Sequence, residues 1–135
     1  RKIMEVTNRR KSRRFAINLP IKMFHLEANK MIDAIITDLS IHGAKICGKQ
    51  DFTFRDGDQL KLHLPVAGYI DYSEGDFMRV SAKVRRVMMS GRDIAVSFEH
   101  FSDHQFLRMT QFVSGIARQQ ISVQQQNARG QPDPD

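Results

Sequence analysis

From Phe15 to Phe98 the apolar residues of this chain fall in short runs with a period of two; after Ser102 the period lengthens to three or four. Alternation puts apolar side chains on one face of a strand but scatters them around a helix, so the first part of the chain is built from strands. In Phe15–Leu26, the residues Ile17, Leu19, Ile21 and Met23 share a face, Asn18 and Lys22 take the other, and Pro20 argues against a helix. Met31–Leu39 is rich in β-branched residues, Ala44–Cys47 is a short strand, and Leu60, Leu62 and Leu64 alternate with Lys61 and His63. Phe77–Met89 is long, setting Val80, Ala82 and Val84 against Arg79, Ser81 and Lys83, and Ser90–Asp93 is a hairpin turn into Ile94–Phe98. Ser102 then caps a helix whose apolar residues are Phe106, Met109, Val113 and Ile116, with Leu107 and Phe112 widening the stripe. The expectation is a mainly β fold: six short antiparallel strands forming a barrel or sandwich, and a C-terminal helix that plugs one end or carries a partner contact.

At 135 residues the chain supports one core and one domain. No apolar run approaches the roughly 20 residues of a membrane span. The single cysteine, Cys47, excludes an internal disulfide and fits a reducing compartment, so a cytoplasmic location is expected. Charge is distributed unevenly. Residues 1–14 hold seven cations against Glu5, a net of +6, which is the formal charge of the whole chain, so residues 15–135 are neutral. The cations form an attachment to a neutral domain, and such an arm attracts phosphates. Residues 1–8 are expected to be a flexible basic segment, 9–118 the barrel with its helix, and 119–135 a fraying helix end and disordered tail carrying Gly130, Pro132 and Pro134.

Nothing in the chain signals catalysis. His25, His42, His63, His100 and His104 are scattered, and the i, i+4 pair His100/His104 has no accompanying carboxylate ligand motif, so no metal is expected. Ser40 and Ser97 lack the glycine-flanked elbow of a hydrolase, and no Gly-rich phosphate loop is present.

Two short motifs remain. Arg10-Lys11-Ser12-Arg13-Arg14 contains Arg-x-x-x-Arg as Arg10 and Arg14, with Arg9 and Arg13 as a second register; Asp38-Leu39-Ser40-Ile41-His42-Gly43 is an Asp-x-Ser-x-x-Gly between two strands. In extended backbone Asp38 and Ser40 point to one side. A carboxylate offers two acceptors to the imino and amino donors of a guanine edge, a serine adds a donor and acceptor, and glycine permits a turn or a close approach. Arginine grips guanine O6 and N7 or clamps a phosphate. The same six residues also suit a plain turn closed by Asp and Ser side chains.

The ordered pair of motifs, in a chain of this size and strand pattern, resembles the PilZ domain family across roughly residues 9–115. That resemblance implies a six-stranded antiparallel PilZ-type β-barrel with a C-terminal α-helix, and a cyclic di-GMP receptor with no enzymatic activity and no cofactor beyond that ligand. It implies that Arg10 and Arg14, with Arg9 and Arg13 as added contacts, grip guanine and phosphate, while Asp38, Ser40 and Gly43 line the barrel surface. Ala95 stands where the family's last strand often carries Gly. Arg85 and Arg86 either extend the basic surface or simply face solvent. The ligand is expected to order the arm and so change a surface that a protein partner or neighbouring domain senses. Two rival readings are a nucleic-acid-binding barrel with a basic arm and a degenerate PilZ domain acting by protein contact alone. The chain has no Trp, and its Phe residues fall mostly at core positions, so stacking platforms are lacking and DNA binding is not expected.

Overall fold

A computed structural model describes residues 14–49, 53–67, 77–88, 91–99 and 101–130, with side chains through residue 120. Every alternating run of the sequence is a strand: β1 (Phe15–His25), β2 (Lys30–Leu39), β3 (Gly43–Gly48), β4 (Gln59–Pro65), β5 (Phe77–Val87) and β6 (Asp93–Glu99). They close into a barrel in the order β1-β2-β3-β6-β5-β4, with every neighbouring pair antiparallel. Closure leaves no strand edge unpaired, which is how a small all-antiparallel sheet avoids edge-to-edge association. One residue in two faces inward, and Met23, Ile36, Ile46, Leu62, Val80 and Ile94 meet in a core with almost no exposed area. Gly91, at φ +78°, sits in the left-handed region that the turn before β6 requires.

The alternation slips in three places. Pairing shifts in β1 between Ala16 and Leu19, in β2 between Ile36 and Asp38, and in β5 between Val84 and Arg86. Each is a bulge that inserts a residue and turns the next side chain to the other face.

Helix α1 (Asp103–Gly130) opens with a capping box: the Gln105 N–H donates to Ser102 Oγ at 3.1 Å, and the Ser102 N–H donates to Gln105 Oε1 at 3.2 Å. Met109, Phe112, Val113 and Ile116 are buried in the barrel core, so the helix completes the core. Phe106 and Leu107, read as part of the stripe, are exposed, and the Phe106 ring meets Phe101 edge-on at 6.2 Å. Two hydrogen bonds lay the helix across one barrel rim. The Gln105 amide donates to the Arg79 carbonyl near the start of β5, and the Gln120 amide donates to the Ala16 carbonyl at the start of β1. Helical backbone continues to Gly130, well past the fraying expected after residue 118, because the Gln- and Ala-bearing stretch carries adequate helix propensity. The readings of residues 1–8 as flexible and of the final residues 131–135 as a tail lie outside the described residues.

Candidate functional site

Arg14 directly precedes β1, and Asp38 lies opposite Ala16 near the end of β2. The β2 bulge explains how Asp38 reaches the surface. Ile36 points inward, so regular alternation would also aim Asp38 inward; the extra residue, Thr37, lets Asp38 emerge while Leu39 returns to the core. An Arg14 Nη1 lies 3.6 Å from Asp38 Oδ2, with the two side chains 41% and 23% exposed. At that distance and exposure the pair is an ion pair rather than a tight hydrogen bond, stabilising by about 1 kcal/mol at most. Either group can therefore exchange its partner at little cost.

Ser40 is buried, and its hydroxyl accepts the N–H groups of His42 and Gly43, both at 3.2 Å. Its own N–H donates to the Gly43 carbonyl at 2.9 Å. Gly43 is needed for a close approach: a Cβ there would sit 2.3 Å from the Val96 carbonyl oxygen of β6. The His42 carbonyl accepts the Phe98 N–H at 2.9 Å, locking the turn to the same strand. The Asp38–Gly43 segment is thus a rigid shelf on the rim that α1 crosses, with Asp38 as its accessible group. Arg9, Arg10 and Arg13 lie outside the described residues.

Arg85 and Arg86 have different environments. Arg85 donates from Nε to Ser97 Oγ at 2.7 Å and from Nη2 to Glu99 at 3.2 Å, while Arg86 is exposed opposite Ala95. Ala95 itself faces partly outward between β3 and β5.

Sequence reasoning passed over His25, which is buried and held by three elements. Its Nδ1 accepts the Ala28 N–H at 2.9 Å, so Nε2 carries the proton and donates to Asp58 at 2.7 Å. Asp58 also accepts the Arg55 N–H, and Glu27 accepts the Gln59 N–H. His25, Glu27 and Asp58 form a grouping of metal-ligand type among the described residues. A metal-bound imidazole normally donates from its other ring nitrogen; here that nitrogen accepts, which suits a hydrogen-bonded latch between the β1–β2 turn and the entry to β4. Cys47 is equally quiet: Asp93 beside it, and then burial, push its thiol above the usual range, disfavouring the reactive thiolate.

The chain is thus a closed six-stranded antiparallel barrel with a helix across one rim and a partly exposed Arg–Asp pair on the turn at that rim. The chain belongs to the PilZ family, whose model, described as PilZ domain, matches residues 8–115. Among solved structures it is similar to the PilZ domain with c-di-GMP of YcgR from Escherichia coli (11% identity, TM-score 0.66, covering 93% of this chain and 100% of that one). It is also similar to the PilZ domain of CeSA from a cellulose synthesizing bacterium, at 14% identity and TM-score 0.61, covering 78% of this chain and 99% of that one. The Bacillus subtilis inhibitor of motility MotI/DgrA matches at 17% identity and TM-score 0.59 over 83% of this chain and 51% of its own length. At these identities the likeness concerns the fold. No curated protein sequence matches the chain. Among the described residues no helix is long and apolar enough to cross a membrane.

Proposed function

We propose that this domain is a receptor for cyclic di-GMP that carries out no reaction, and that Arg14 and Asp38 exchange each other for the ligand. The observation that carries the reading is their 3.6 Å pairing on the rim, at the root of the cationic arm, in a chain of the PilZ family. The c-di-GMP named with the YcgR domain supports the choice of ligand. Asp38 accepts the imino and amino donors of one guanine edge, and the released Arg14, with Arg9, Arg10 and Arg13, takes phosphate oxygens or guanine O6 and N7. Ser40 and Gly43 hold the shelf at the height the base requires. Binding collects the arm over the barrel, and the altered surface is what a neighbouring domain or partner protein reads. A cytoplasmic setting, where such a messenger is available, belongs to the same reading.

The test is calorimetric titration of the domain with cyclic di-GMP, with GTP and the Arg14→Ala variant alongside. Tight, guanine-specific binding that the variant loses supports the receptor. No heat at high ligand concentration overturns it, and a steep salt-dependent affinity for polynucleotides in its place identifies a nucleic-acid-binding barrel.

A further inference from the structure

Strands β1, β4 and β5 stand side by side in the barrel and carry no Asp or Glu, yet they carry Lys22, Lys61, Arg79, Lys83, Arg85 and Arg86. Carboxylates from neighbouring elements reach only the borders of this face. Asp33 of β2 pairs with Lys22 at 2.6 Å, Glu99 of β6 pairs with Arg85 at 3.2 Å, and Glu27 is held at one end on the Gln59 N–H at 3.0 Å. Between those borders Lys61, Arg79 and Lys83 have no ion pair among the described residues. Lys30 and Lys45 are unmatched too but stand on β2 and β3, and Arg86 lies beyond the stretch of β5 that β4 covers. β4 is third from β3 in either direction around the barrel, so the face centred on it looks away from the Asp38–Gly43 turn.

The three cations are arranged around one serine. Ser81 lies directly opposite Lys61, and Arg79 and Lys83 flank it on β5, all projecting outward because Val80, Ala82 and Val84 are buried. At the rise of a strand Arg79 and Lys83 are roughly 13 Å apart. An open recess of about 190 Å³ lies between them, lined by Lys61, Ser81, Glu99 and Leu26 over the buried Leu60 and Ala82. The Ser81 hydroxyl has no hydrogen-bond partner among the described residues, and the Glu99 carboxylate in the wall is engaged by Arg85. Exposed apolar side chains mark both ends of the face: Phe77 at the start of β5 and Leu26 just past the end of β1.

Unmatched cations on such a face call for acids. A recess with two donors, an ammonium and a hydroxyl, calls for a single carboxylate side chain that enters it. Apolar residues at both ends call for apolar neighbours in the partner. A bilayer presents a plane of headgroups and leaves a recess unfilled, and a single-stranded polynucleotide needs stacking aromatics, of which this face exposes only Phe77 among the described residues. We infer that the β1–β4–β5 face docks an acidic protein segment, with one carboxylate seated between Lys61 and Ser81 and flanking acids met by Arg79 and Lys83. Docking there requires nothing of the ligand motif, which lies on the other side of the barrel.

The experiment titrates the isotope-labelled chain with a fluorescent peptide of alternating Glu, Asp and Leu and with its Gln, Asn and Leu counterpart, following anisotropy and backbone amide shifts. The acidic peptide should bind and shift amides of residues 59–63 and 79–83, and the neutral one should not. Lys61→Gln should weaken binding about tenfold, the worth of one charge-assisted hydrogen bond. Arg79→Gln or Lys83→Gln should weaken it about threefold, the scale of an exposed ion pair. Lys22→Gln, whose charge is matched by Asp33, should bind as wild type, and added salt should weaken the wild type. All four variants should melt near the wild-type temperature and respond to cyclic di-GMP as wild type does. No binding, amide shifts confined to residues 1–14, or wild-type affinity in Lys61→Gln each overturns the inference. So does tighter binding to the same strands by a single-stranded oligonucleotide or by phosphatidylserine vesicles. A wild type that fails to bind cyclic di-GMP overturns the receptor reading and leaves this face standing.

Discussion

Asp38, Ser40 and Gly43 occupy one short motif but answer to different physics. Asp38 is partly exposed and held by a weak ion pair, so Asp38→Ala should leave the melting temperature nearly unchanged while abolishing cyclic di-GMP binding in calorimetry. Gly43→Ala should act the other way. A Cβ placed 2.3 Å from the Val96 carbonyl forces β3 away from β6, and overpacking of this kind costs about 1–3 kcal/mol, readable as a lowered urea midpoint. Arg14→Ala should cost on the order of 2–5 kcal/mol of binding, part of it from leaving the opposite charge unpaired. The residue types of the motif were legible in the sequence, as was the possibility that glycine permits a close approach. What the glycine approaches was not legible, because the Val96 carbonyl arrives from a strand more than fifty residues on. His25 shows the same limit. A lone histidine in a strand carries no signal until Asp58 and the Ala28 N–H are brought to it.

The strands were readable because period-two alternation needs nothing beyond the local chain. The bulges were not. A one-residue insertion looks like ordinary polar sequence at Thr37-Asp38 and Arg85-Arg86, and only the neighbouring strand defines the slip. At the start of the helix, Ser102 could be read as a cap, and the structure adds the reciprocal bond, in which Gln105 Oε1 accepts the Ser102 N–H. Ser102→Ala should destabilise the domain by about 0.5–2 kcal/mol in chemical denaturation. Phe106 and Leu107 fit a helical stripe by spacing yet stay exposed, because the first turn meets the barrel through the Gln105 amide on the Arg79 carbonyl and buried apolar packing begins at Met109.

For the molecule as a whole, ligand and proton both act as reporters. A ligand that binds only the folded state should add about 2.7 kcal/mol of stability at a concentration of 100 times Kd, raising the melting temperature of wild type but not of Arg14→Ala. His63 supplies a pH dependence separate from the site. Burial, with help from Arg79, holds its pKa below the ordinary histidine value. The unfolded chain therefore takes up that proton first, so stability falls as pH drops through about 6.5 and levels off below the folded pKa. Urea midpoints measured from about pH 8 to about pH 5 should show this fall, and His63→Gln should reduce it.

The hydrogen bond from Gln120 to the Ala16 carbonyl fastens the helix to the strand that the arginine arm leads into. Mechanically it is a fulcrum. The helix from residue 121 to 130 projects roughly 15 Å beyond it, so a tilt of about 10° at Gln120 swings the far end by roughly 3 Å. Any tilt passed from the first residues of β1 through this bond would therefore be largest at the far end of the helix, with the barrel as the fixed frame.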